Sequence, residues 1–164
     1  MFPIIPANSL AVEASTNSEG IFAFGTTTGY NNLSMSNLVS NSGVVASDTT
    51  GVGTARRHLA GTEYGGDKGI FGFGHIGGGG GASAVSNKVS NAGVVASDTT
   101  GVGTARWYPA ACGYGTDKGI FAFGKITGWG NVSTSNKVSN TGTVASDTTG
   151  VGTAKHSLAA CSFG

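Results

Sequence analysis

The chain has 164 residues, enough for one domain with a modest core. Glycine alone supplies 30 of them, and with serine, threonine and asparagine nearly half of the chain, whereas charged residues are only 10%, against about 25% in an ordinary soluble domain. Helix formers are scarce and no window carries 3.6-residue apolar spacing, which argues against helical and α/β folds.

The formal charge of +1, with signs interspersed, leaves no basic stripe of the kind nucleic-acid binders carry. No apolar run approaches the roughly 18 residues needed to enter and cross a bilayer, so membrane insertion is not expected. Residues 1–8 open with Met1-Phe2-Pro3-Ile4-Ile5-Pro6, which lacks a basic segment and is broken by two prolines; they read as a short arm rather than a secretory signal. The 38% hydrophobic content comes in regular bursts, the pattern of a packed chain rather than a disordered one.

From residue 9 onward the chain repeats itself, in units of approximately 9–55, 56–105 and 106–154. Each unit reads as four short strands. In the first these are a weak Leu10-Ala11-Val12, then Ile21-Phe22-Ala23-Phe24-Gly25, then Leu33 to Val39, then a strand from Val44-Val45 toward Thr54-Ala55-Arg56. The second has Leu59-Ala60, Ile70-Phe71-Gly72-Phe73-Gly74, Ala84 to Val89, and Val94-Val95 onward to Thr104-Ala105-Arg106. The third has Pro109-Ala110-Ala111, Ile120-Phe121-Ala122-Phe123-Gly124, Val132 to Val138, and Thr143-Val144 onward to Thr153-Ala154-Lys155. Residues 156–163, with Leu158-Ala159-Ala160, are an extra copy of the first strand. The turns Gly65-Gly66-Asp67-Lys68-Gly69 and Gly115-Thr116-Asp117-Lys118-Gly119 lead into the aromatic strands with residues suited to unusual backbone angles. Strand alternation places Phe71 and Phe73 on one face and Ile70, Gly72 and Gly74 on the other. One bulky and one small apolar face suit sheets stacked on identical neighbours, as in a propeller, better than a β-solenoid or a sandwich with one wet face.

Four strands per unit of about 50 residues, an arginine (Arg56 or Arg106) before a small-residue strand and an aromatic strand ending in glycine resemble kelch-type repeats. The resemblance covers most of residues 9–164, with departures: the glycine after the aromatic strand is single at Gly25 and Gly124, and Trp107 and Trp129 occupy different repeat positions from each other and from the kelch tryptophan. The run Asp48-Thr49-Thr50-Gly51-Val52-Gly53-Thr54-Ala55-Arg56 and the near-identity of the copies are also similar to repeats of phage structural and tail-associated proteins. The resemblance implies an all-β, kelch-like propeller with three four-stranded blades per chain. Propellers typically close with four to eight blades, so a homodimer forming one six-bladed ring is expected, with the 156–163 strand completing the partner's first blade. It also implies a place in a phage particle beside other virion proteins, or otherwise an extracellular or cell-surface location.

The charged residues that recur are Asp48, Asp98 and Asp147, then Arg56, Arg106 and Lys155. Catalytic groups break repeat symmetry, whereas these obey it. They read as structural, the aspartates starting turns and the cations pairing with them eight positions later or with a neighbouring blade. No catalytic residue and no cofactor is expected. His58, His75 and His156 lack metal-ligand spacing, and Cys112 and Cys161, at equivalent repeat positions, read as two small buried thiols. The five-glycine run 77–81 lacks the Lys-Ser/Thr of a phosphate loop. It falls in the connection where the copies differ most, so Tyr30 and Trp129 there, with Trp107 and Tyr108 as a second pair, are the candidate contact residues. The expected function is a non-catalytic structural or adhesive module. The alternative is a sugar-binding propeller stacking these rings on a glycan, with a host-surface glycan as the possible ligand.

Overall fold

The computed structural model describes residues 17–79, 81–128 and 130–164; the arm 1–8 and the weak first strand at Leu10 lie outside them. The described chain is all-β, built from small antiparallel sheets. In the first repeat β1 (Gly20–Thr26) pairs with β2 (Asn32–Val39). The second repeat holds β3 (Ala60–Tyr64), β4 (Lys68–Gly72) and β7 (Ser86–Val89) in the order β3-β4-β7, with β5 (His75–Ile76) and β6 (Gly81–Ala82) as a side hairpin. In the third repeat β8 (Ala110–Tyr114), β9 (Lys118–Lys125) and β10 (Asn131–Val138) form the same meander. The glycine-rich turns act as expected: Tyr64 pairs with Lys68 and Tyr114 with Lys118 across them, with Gly65, Gly66 and Gly115 at positive φ.

The fourth segment of each repeat is not a continuous strand. It touches the third strand at two bridges only, Val39–Val45 and Ser36–Thr49 in the first repeat, Val89–Val95 and Ser86–Thr99 in the second, Val138–Val144 and Ser135–Thr148 in the third. Between the bridges an asparagine side chain takes over the ladder: the Nδ2 groups of Asn37, Asn87 and Asn136 donate to the carbonyls of Ala46, Ala96 and Ala145 at 3.0–3.1 Å. Leu158-Ala159-Ala160 is likewise outside any strand, and a strand exists only through the neighbour it pairs with.

The aromatic strand departs from simple alternation. Phe24, Phe73 and Phe123 adopt φ of 65°, 64° and 62°, each followed by a glycine with φ of 108–116°. A bulky residue in that region is an outlier that the surroundings must impose. The kink turns the second phenylalanine over, so Phe71 and Phe73 face opposite neighbours instead of sharing a face. The ring of Phe71 meets Phe24 of the first repeat at 5.7 Å, and the ring of Phe73 meets Phe121 of the third at 5.3 Å, both edge to face. Bulky-on-small matching survives this change: a Cβ on Gly72 would lie 2.9 Å from the Phe121 ring. The core, Tyr64, Ile70, Phe73, Phe121 and Val138, therefore sits between the second and third repeats.

Candidate functional site

The recurring charges converge where one repeat meets the next. Arg56 and Arg106 are fully buried. Arg56 lies 4.2 Å over the Phe24 ring of the preceding repeat, donates from Nε to the Phe73 carbonyl at 2.8 Å and from an Nη to Asn87 Oδ1 at 2.6 Å. Its own carbonyl accepts the Gly25 N–H at 3.0 Å. Arg106 repeats the ring and backbone contacts, 3.8 Å over Phe73 and with its carbonyl accepting the Gly74 N–H at 2.9 Å, but its guanidinium donates to the Thr104 and Phe121 carbonyls at 3.2 and 3.5 Å, and its Nε and Asn136 Oδ1 have no hydrogen-bond partner among the described residues. Two residues upstream of each arginine, the threonine N–H and hydroxyl donate to an aspartate of the following repeat: Thr54 to Asp98 and Thr104 to Asp147, at 2.5–3.1 Å. Asn87 and Asn136 complete the ring of bonds by donating to the same carboxylates at 2.9 Å.

Each of the two arginines thus pairs with the aspartate of its own repeat, Asp98 or Asp147, 4.0 Å away, and not with the one eight positions before it. Burial pushes both guanidiniums down to about 10, still fully charged at neutral pH, against the opposing pull of Asp98 and Asp147. For the two carboxyls, burial raises the pKa, but the threonine and asparagine bonds and the arginine charge outweigh it and hold both below the usual range. The asparagines were absent from the sequence-based candidates, although Asn37, Asn87 and Asn136 each precede their aspartate by 11 positions. That fixed offset was the available signal.

The second cluster is an aromatic and histidine row along one edge of the stack. Trp107 and Tyr108 come together with His58 and His75, because Arg57 and Trp107 bridge to His75 and Lys125 and so lay equivalent positions side by side. The Trp107 ring stacks on His75 at 4.1 Å, and Tyr108 on His58 at 4.1 Å with its hydroxyl 3.1 Å from Nε2. His156 lies beyond Tyr108 at 5.8 Å. Burial first, then the Arg57 charge, lowers the pKa of His58 and of His75. Tyr30 stands at the β1–β2 turn, 76% exposed, with the Arg57 guanidinium 5.8 Å from its ring. Trp107 and Tyr108 are half-buried and each spends one ring face on a histidine; Trp129 lies outside the described residues.

The thiols differ from expectation: both are free, Cys112 half-buried in β8 and Cys161 exposed, in a segment that pairs with no strand among the described residues. Among the described residues no three potential metal ligands converge. Compared with known proteins, the chain matches no family model and no curated sequence.

Proposed function

We propose that this chain is a non-catalytic structural or adhesive module, a kelch-like propeller whose three blades are completed by a second copy into a six-bladed ring, in a phage particle or on a cell surface. The observation that carries this reading is the doubled junction. The same threonine–aspartate and asparagine–aspartate bonds, each beside a buried arginine 4.0 Å from the carboxylate, recur where repeat one meets two and where two meets three, so Arg56, Arg106, Asp98 and Asp147 are consumed in holding repeats together. A passive module needs such geometry and little chemistry. The outward valines Val44 and Val94, 65% and 64% exposed, offer apolar surface for neighbouring virion proteins. Light scattering with negative-stain images of the same peak tests it: two copies in a closed ring are expected, and a lone three-repeat monomer at all concentrations would overturn the ring.

A second reading, sugar binding, draws on the exposed Tyr30 ring with Arg57 beside it. On a glycan array it requires binding that Tyr30→Ala abolishes.

A further inference from the structure

We propose that the Asp48 face of the first repeat and the Thr153–Lys155 segment of the third are two halves of one junction, joined head to tail between copies of this chain. The proposal rests on the oligomeric reading above and names the residues that make the contact.

Both halves are present and lack their complements among the described residues. On the first repeat, Asp48 accepts only from Asn37, at 2.8 Å, whereas Asp98 and Asp147 also take a threonine N–H and hydroxyl. Asn37 is half-buried, whereas Asn87 and Asn136 are fully buried. Phe22 is 63% exposed, while its counterparts Phe71 and Phe121 each rest on a phenylalanine of the preceding repeat. Among the described residues the outer edge of β1 pairs with no strand.

At the other end, Thr153 is exposed and makes no hydrogen bond among the described residues, and Lys155 is exposed with its Nζ 5.0 Å from the Phe123 ring. The Lys155 carbonyl already accepts the Gly124 N–H at 2.9 Å, as Arg56 and Arg106 accept from Gly25 and Gly74. The glycines record the same vacancy. A Cβ on Gly53 or Gly103 would strike the asparagine and aspartate of the next repeat, whereas on Gly152 it would meet nothing within 4 Å. In the opposite direction, a Cβ on Gly93 or Gly142 would strike the preceding repeat, and on Gly43 nothing within 4 Å.

Superposing the internal junction on these ends makes Asp48 accept the Thr153 N–H and hydroxyl, sets the Lys155 ammonium against Asn37, and rests Phe22 on Phe123. The signs match, carboxylate against ammonium. The chain's own sequence is a poor substitute. One repeat before Thr54 and Arg56 stand Ile5 and Ala7, which carry neither hydroxyl nor cation. A head-to-tail contact is heterologous, so its two faces can be inactivated separately.

The test uses two full-length variants, a head variant with Asn37→Ala and Asp48→Ala and a tail variant with Thr153→Ala and Lys155→Ala. All altered positions lie outside the two internal junctions, and circular dichroism checks the fold. At concentrations where wild type has the mass of two copies, each variant alone is expected at half that mass, and an equimolar mixture is expected to recover the two-copy species through its one intact junction. A charge exchange, Asp48→Lys with Lys155→Asp, keeps the proposal testable should the alanine variants misfold, and is expected to restore the mass that Lys155→Asp alone loses. Variants that keep wild-type mass overturn the junction while leaving the oligomer standing. A wild type that stays at one-copy mass overturns both. Loss of melting temperature without loss of mass in the head variant assigns the Asp48 face to residues 1–16 of the same chain and overturns the proposal.

Discussion

At the scale of single residues, the carboxylates of Asp98 and Asp147 decide how the fold answers to acid. Each accepts three or more hydrogen bonds and faces a buried arginine, and each has a folded-state pKa below its ordinary value. A depressed carboxyl pKa stabilises the folded chain above the unfolded value, near 4, and that contribution is lost as pH falls through the folded one. Denaturant titrations are therefore expected to show a decline below roughly pH 4 from these carboxyls, added to the loss that begins below about pH 6.5 because the folded-state pKa values of His58 and His75 are lowered. Asp67 and Asp117 are also held low, first by the bonds from Lys68 and Lys118, but as surface pairs they add little. Replacing Asp98 and Asp147 by asparagine is expected to cost about 2 kcal/mol per junction at pH 7 and to flatten the acid decline. An unchanged acid profile in the double variant would move the acid sensitivity elsewhere.

At the scale of elements, the Phe-Gly kink is the feature that turns a plain strand into a connector. It aims Phe24 and Phe73 at the next repeat and frees the glycine N–H for the next arginine's carbonyl. The three kink glycines differ in surroundings: a Cβ would lie 2.8 Å from the Arg57 carbonyl oxygen at Gly74 and 2.8 Å from that of Trp107 at Gly124, but within 4 Å of nothing at Gly25. Alanine at Gly25 is expected to cost only backbone strain, about 1–3 kcal/mol, and alanine at Gly74 or Gly124 a further 1–3 kcal/mol of overpacking. Urea midpoints of the three single variants order them; equal losses would mean that the backbone relaxes around the added methyl. The hairpins β3–β4 and β8–β9 were readable beforehand, because their glycine-rich turns and apolar strands are local signals. The kink was not, since Phe-x-Phe-Gly is also what a regular strand would show. The valines of the fourth segment carry strand propensity, but the asparagine bonds that interrupt its ladder come from residues nine positions away.

At the scale of the whole molecule, repetition was visible from the residues alone, but its consequence, that Asp98 and Asp147 are bonded by the threonine of the repeat before, needed the stacking of one unit on another. The candidate contact residues followed the same division. Tyr30 was readable as an exposed loop ring, whereas the pairing of Trp107 and Tyr108 with His75 and His58 depends on which repeat lies beside which. In a stack of this kind stability is approximately a sum of units and nearest-neighbour interfaces, so it should grade along the chain. The junction between repeats two and three has both its phenylalanines buried, Phe73 and Phe121, whereas Val151 at the far end is 88% exposed and Phe163 98%. The three equivalent glycine amides measure this gradient with identical chemistry, since each donates to the carbonyl of the next cation: Gly25 to Arg56, Gly74 to Arg106 and Gly124 to Lys155, at 2.9–3.0 Å. Where hydrogen exchange proceeds by local opening, its rate reports the free energy of that opening. The Gly74 amide is expected to exchange slowest. The Gly124 amide, whose acceptor Lys155 is itself exposed, is expected to exchange at least tenfold faster, the equivalent of about 1.4 kcal/mol. Dilution below the association range should speed Gly124 further and leave Gly74 unchanged. Equal protection at all three amides, at every concentration, would mean that the chain opens as one cooperative unit and that its ends are no weaker than its middle.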